Sequence, residues 1–359
     1  MSVQNTEILW RKSHTMQGGF EIGGGADPSA NAANGGVMLA TEAVHAAKNA
    51  IWPDAPQSEL TNGSIAFRKA FIHIANALDQ SRIETDGADY SIIQPRVFVE
   101  TSTPGDDSIA IFLGTQSDTQ SSLTGSEDLY GSATLDVDAS ATDTSIVVLV
   151  EDDEDGNPLV LFRTGNTVRI SNKTTVDAIG DEEYVVLTGV SGFTGNQVTL
   201  TFSGDPLENN YLASNTRVAS CLTPSTLVST VDNISAPSGS GTFNDLIYVN
   251  NLGCVEDTWT VEFDSATAYH ITGTRTGLLS GAPTISGEYA PANTSFGSNP
   301  PFFVIKGSGN WGGTWADGDT FTFQTHPASV PLWYRRMIQA GSASLTPNNV
   351  IVGITGQST

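Results

Sequence analysis

Asp319-Thr-Phe-Thr-Phe-Gln-Thr-His-Pro-Ala-Ser-Val-Pro-Leu-Trp-Tyr-Arg-Arg-Met-Ile338 is the stretch on which the fold turns. Phe321 and Phe323 alternate with threonines, as a half-buried strand requires. Pro327 and Pro331 lack the N–H that a helix or an inner strand needs, so the strand is expected to stop there. Trp333, Tyr334, Arg335 and Arg336 follow, in a chain with only 15 basic residues. Two readings of that cluster stand side by side. Trp333 and Ile338 can plug the chain's own core with the arginines at the surface, or the four residues can form an exposed anchor for another protein, since Trp, Tyr and Arg dominate interface energetics. The scarcity of chemistry elsewhere favours the anchor, and His326, Trp311 and Trp315 join it as candidate partner-binding residues.

Outward from this stretch, 359 residues are enough for two or three domains. Charged residues make up only 15 %, there are 36 glycines, and Thr, Ser and Asn abound, which favours short strands joined by tight turns. The expected fold is mainly β and multidomain, with few short helices. Residues 1–125 form a β-rich region in which Ala66–Ala75, Pro95–Glu100 and Ser108–Leu113 read as strands and Val37–Ala50 as one short helix. Gly18-Gly19 and Gly23-Gly24-Gly25 break up its start. Residues 126–222 read as an inserted β-barrel or sandwich module. Its strands are Thr134–Val137, Ser145–Val150, Leu159–Phe162, Thr167–Ile170, Glu183–Leu187 and Gln197–Phe202, with Gly/Asn/Asp turns between them. Residues 223–359 read as a sandwich-like domain with docking loops, its strands at Leu246–Val249, Thr258–Phe263, Ala268–Ile271, Pro301–Ile305, Thr320–Phe323 and Val350–Val352.

Thirty-nine acidic residues against 15 basic ones give a net charge of -24. Such a surface repels phosphate backbones and anionic lipid, so neither nucleic acid nor membrane is an expected partner. No basic segment leads into an apolar run at the start, and no stretch approaches the ~18 apolar residues of a membrane span, so synthesis in a cytoplasm without a secretion signal is expected. Cys221 and Cys254 are expected to be buried thiols.

Catalytic signatures are missing. The five histidines are scattered, and no nucleophile elbow, phosphate-binding loop or dinucleotide fingerprint occurs. Glu151-Asp-Asp-Glu-Asp-Gly156 imitates the start of a calcium loop, but Phe162 stands where the closing Glu belongs, so it reads as a solvated turn. Trp311 and Trp315 near Asp317 and Asp319 could line a sugar-binding surface. No catalytic residue, cofactor or metal ligand is assigned.

Several phrases nevertheless resemble a family. Glu7-Ile-Leu-Trp-Arg-Lys-Ser13, Phe67-Arg-Lys-Ala-Phe-Ile72, Gly114-Thr-Gln-Ser-Asp-Thr-Gln120, Thr216-Arg-Val-Ala-Ser220, Glu256-Asp-Thr-Trp-Thr-Val-Glu-Phe263 and the run from Trp311 to Pro331 are similar to virion structural proteins of contractile-tailed bacteriophages and Mu-like prophages. The resemblance spans nearly the whole chain. It implies a non-enzymatic particle protein of the tail or baseplate, such as a ripcord-like connector clamping baseplate wedges to the tube and first sheath ring. Its partners would be other virion proteins, in multiple copies. A neck component, or a receptor- or glycan-binding tail protein, is the alternative. The acidic run 151–155 and the low basic content depart from the family's pattern.

Overall fold

The computed structural model describes residues 3–15, 34–44, 50–52, 54–153, 156–174, 178–307, 309–345 and 348–358. The glycine runs around Gly18 and Gly23, His45 and the last two acids of the 151–155 run lie outside them. The chain is mainly β, with two short α-helices, Gln57–Asn62 and Gln80–Asp86, among the described residues. The expected helix at 37–50 is replaced by a strand, Met38–Glu42, as far as the described residues reach. Pairing with Ile8–Ser13 overrides the helical preference of the alanines around it.

The decisive stretch forms two strands that belong to two different sheets. Thr320–His326 buries Phe321, Phe323 and Thr325 on one side and turns Thr322 and Gln324 the other way, as its alternation predicts. It lies between Thr230–Asp232 and Asp257–Phe263 in a five-stranded sheet completed by Tyr269–Gly273 and Gly277–Leu278. Pro327 and Ala328 turn a corner. The chain then runs on as Ser329–Ile338, the fourth of five strands in a sheet ordered 38–42, 8–13, 64–74, 329–338, 107–113. Ten of its residues pair with Ser64–Ile74 and seven with Asp107–Leu113.

The expectation that the prolines stop the strand is therefore corrected, for a geometric reason. Pro331 O accepts the N–H of Gly114 at 3.0 Å, so the position of its missing N–H faces the same side. The neighbouring strand on that side ends at Leu113, so Pro331 stands beside the strand's end, where a missing ladder hydrogen bond is tolerated. The sequential division at 223 also fails at its far end. Residues 329–338 complete the sheet of the first region, and Ile351–Ser358 pairs with Ile92–Thr101.

That second pair forms a ribbon over one face of the central sheet, so the first region has two layers. Its core joins Ile92, Val97 and Val99 of the ribbon to Ile72, Ile111 and Leu332 of the sheet. The opposite face of the ribbon meets the inserted module, where Phe98 packs with Ala219 and Cys221.

The module's seven-stranded sheet draws every strand from residues 132–221. Its edge strands, Glu182–Val186 and Gly189–Thr194, are consecutive in the chain and separated only by Leu187 and Thr188. So short a link spans about 10 Å at most, which draws the two edges together and rolls the sheet towards a barrel around Val148, Ile170, Leu200 and Phe202. Leu159–Phe162 is not a strand. Leu159, Leu161 and Phe162 are nevertheless buried as a plug in this core.

In the third region the sheet packs beneath two short ribbons, Ser240–Phe243 with Trp311–Thr314 and Ile247–Tyr248 with Val304–Ile305. Aromatic rings fill the space between. Trp259 meets Phe303 edge-on, and Phe263 stacks on Trp315 at 4.2 Å between centroids.

Candidate functional site

Trp333, Tyr334, Arg335 and Arg336 are all buried within the central sheet of the chain itself. The exposed anchor expected from their composition is corrected to a core strand, whose side chains alternate between two filled faces.

On one face Trp333 lies in a slot cut by two glycines. A Cβ at Gly35 would come within 2.9 Å of its six-membered ring, and one at Gly114 within 2.7 Å of Cδ1. Gly35 also has φ +105, which L side chains rarely adopt. Trp333 Nε1 donates to Asp118 Oδ2 at 2.9 Å, while Lys69 Nζ reaches Asp118 Oδ1 at 2.5 Å and donates to Gly36 O at 2.8 Å. Burial pulls the Lys69 pKa down, and the hydrogen bond it donates to Asp118 opposes this. Phe112 stacks parallel to the indole.

On the other face Tyr334 accepts the Nε1–H of Trp10 at 2.9 Å. Arg336 donates to Glu59 Oε2 at 3.1 Å and lies 4.6 Å over the Trp52 ring, and Arg68 approaches the same ring at 5.1 Å. Burial, then the positive charge of Arg336, lowers the Arg68 pKa to about 10. Arg11, Arg68, Lys69, Arg169, Arg335 and Arg336, six of the 15 basic residues, are thus withdrawn into the interior. The surface left behind is more acidic than composition alone suggests.

His326 stands at the corner, where the strand leaves the C-terminal sheet. Nδ1 meets Glu256 Oε2 at 2.8 Å and Nε2 meets Asp232 Oδ1 at 3.1 Å. With a carboxylate on each ring nitrogen the imidazolium is favoured, and the bond to Glu256, more than the one to Asp232, raises its pKa to about 9 against the opposing effect of burial. It clamps three segments of its own sheet. Trp315 is buried and Trp311 partly so, both inside the aromatic core, so neither offers a flat surface to a sugar.

Residues that the sequence reading did not single out join the regions. Asn251, fully buried, donates its backbone N–H to Asp89 Oδ2 and its amide to Tyr90 O, and accepts the N–H of Ser229. Its carbonyl lies 2.8 Å from His73 Nε2. Burial holds the His73 pKa down to about 4, so the ring is neutral with Nε2 as donor. Lys306 bridges Glu84 and Glu288, tying the Gln80–Asp86 helix to the third region. Arg169 bonds Glu182 at 2.8 Å and sits over Phe98, joining the module to the ribbon. Each is an isolated polar letter whose partner lies far away in sequence.

At the corner the surface is indented. A cleft of about 240 Å³ is lined by residues 113–116 and 224–228 together with Pro327 and 329–331. A second, of about 440 Å³, adjoins it across Phe112, 126–128, Tyr130 and 222–223. Leu113 lines both and is 49 % exposed, although it ends a strand whose preceding residues are buried. All three sequence regions meet here. The sequence carried little signal for it, since Leu113 shares the phase of the buried Ile109 and Ile111 and is marked only by standing at the strand's end, immediately before Gly114.

The described residues include no group of three or more His, Cys, Asp or Glu placed to hold a metal ion. Burial raises the Cys221 thiol to about 12 and pushes Cys254 higher still. No described helix is long and apolar enough to cross a membrane. Comparison with protein-family models, curated proteins and solved structures returned no match to this chain.

Proposed function

We propose that the chain is a structural protein of a bacteriophage particle that connects subunits of the contractile tail or baseplate through protein contacts. The observation that carries this reading is the path of Thr320–Ile338 through two sheets. Force applied to the third region passes into the first along one backbone, held by antiparallel ladders on both sides and at the corner by the His326 clamp. Asn251, Lys306 and Arg169 brace the remaining junctions. A part that transmits load between neighbours needs such locks, and the phrases resembling tail proteins run through the same segments. The cleft beside Leu113 is the surface this reading assigns to a neighbouring virion subunit, with apolar contact at Leu113 and basic complement around it.

Mass spectrometry of purified particles tests the proposal. The protein should be present in fixed stoichiometry with tail components, and Leu113→Asp should lower its incorporation while the isolated chain stays folded. Absence from particles would refute it. Specific glycan binding by the isolated chain would favour a receptor-binding role instead.

A further inference from the structure

The ribbon of Ile92–Thr101 and Ile351–Ser358 has one finished edge and one open edge. On the finished side Val97 and Leu222 exchange two backbone hydrogen bonds of 2.8 Å, and Ile92 exchanges a pair of 3.1 and 3.0 Å with Leu227. Antiparallel ladders alternate between hydrogen-bonded and non-hydrogen-bonded pairs. The residues opposite Val97, Val99 and Ile92 must therefore be in non-hydrogen-bonded pairs, and these are Ile354, Val352 and Ser358. Their N–H and C=O groups point away from the ribbon, to a side where no described residue pairs with them through its backbone. Val3 N–H reaches only the hydroxyl of Ser358.

A second observation concerns charge. Residues 337–359 contain no Asp, Glu, Lys, Arg or His, the longest such run in a chain of net charge -24. Edge strands are commonly guarded by a lysine or a proline. Ile351-Val-Gly-Ile-Thr-Gly-Gln-Ser358 carries neither, and its two irregularities leave Val352–Thr355 in regular register.

We propose that the open edge of Ile351–Ser358 pairs antiparallel with the same strand of a second copy of this chain, forming a four-stranded sheet across a twofold axis. The charge pattern selects this occupant. Two copies of net charge -24 repel each other through their acidic faces, and the uncharged edge lets two backbones approach without bringing carboxylates together. A basic partner would be drawn to the acidic faces instead. The proposal concerns the isolated chain and does not depend on the virion reading. One strand pair buries less surface than a stable dimer interface, so the association is weak, and screening of the net charge by salt strengthens it.

Sedimentation equilibrium of the full chain, over a range of protein and sodium chloride concentrations, tests the pairing. The expected result is a reversible dimer whose population rises with salt. Ile354→Pro removes an outward N–H while leaving the ladder to Ile92–Thr101 intact. It should weaken dimerisation roughly tenfold, since the contact is lost twice across the axis. Gln357→Glu, at an exposed side chain, places like charges on both strands, should weaken it several-fold at low salt, and decides the matter if circular dichroism shows the proline variant to be misfolded. A monomer at every concentration and salt, a dimer that salt dissociates, or one that Gln357→Glu leaves unchanged would overturn the proposal.

Discussion

The inserted module and the central sheet are both β-structures of similar size, built on opposite principles. Every strand of the module comes from residues 132–221, and its edges are drawn together by a two-residue link. The central sheet gathers strands from residues 8–13, 38–42, 64–74, 107–113 and 329–338. One is a local unit, and the other exists only when distant parts of the chain have met. Their interiors differ accordingly. The module's core is almost wholly aliphatic and aromatic, whereas the central sheet buries Arg11, Arg68, Lys69, Arg335 and Arg336, with Lys69 and Arg336 paired to Asp118 and Glu59 from outside the sheet. A buried cation retains its charge only if its partner is held in place, so the central sheet should fail abruptly where the module tolerates change.

Charge reversal at the central strand should have the largest effect. In Arg335→Glu with Arg336→Glu, a carboxylate replaces the guanidinium that lies 3.1 Å from Glu59, and a second one enters the face that holds Trp333. Loss of a buried pair alone costs about 3–5 kcal/mol, and like charge adds to it. The isolated protein should lose the near-ultraviolet circular dichroism of its first region. A folded variant would mean that these arginines lie at the surface.

Expressing residues 126–222 alone sharpens the same contrast. The fragment should give dispersed amide resonances, because its core is its own apart from Ala110. A random-coil spectrum would show that Arg169 and the ribbon are needed to hold the barrel. Trp333→Ala in the whole chain should destabilise it by about 3–5 kcal/mol in denaturant titration, through the empty slot and the unpaired Asp118 oxygen. A change below about 1 kcal/mol would contradict close packing there.

The smallest effects are those of pH. His326 has its pKa raised to about 9, above the ordinary value of 6.5. Its stabilising contribution is complete below pH 6.5 and is lost between 6.5 and 9. Glu151 is raised to about 7 by burial and, secondarily, by Asp107, so the folded chain keeps a proton that the unfolded chain has released. Stability therefore falls as pH rises from 4.5 to 7. His326→Gln should flatten the alkaline slope and Glu151→Gln the acidic one in melting temperatures taken across pH. Unchanged slopes would remove both assignments.

How much of this was legible in the sequence follows the same division. Most of the module's strands and turns could be read directly; the exceptions are Gly189–Thr194, whose glycines and serine lack a strand's usual side chains, Arg217–Cys221, whose small residues between Val218 and Cys221 give no clear alternation, and the Leu159–Phe162 plug, which looks like a strand because it is equally apolar. Thr320–His326 was legible by its alternation. Ser329–Ile338 was not. Its prolines and arginines break local rules, and what makes them acceptable, namely the end of a neighbouring strand at Leu113, Glu59 and Asp118, lies more than 200 residues away. The cleft beside Leu113 was hidden for a similar reason, since it is defined by three segments that only the fold brings together.

Native-state hydrogen exchange on the isolated chain tests most directly whether Thr320–Ile338 runs through the middle of two sheets. The amides of Leu332–Ile338 should be among the slowest to exchange, opening together with those of Ser64–Ile74 at the free energy of global unfolding. Exchange of Leu332–Ile338 at the rate of exposed turns such as 203–206, with Ser64–Ile74 still protected, would contradict the account.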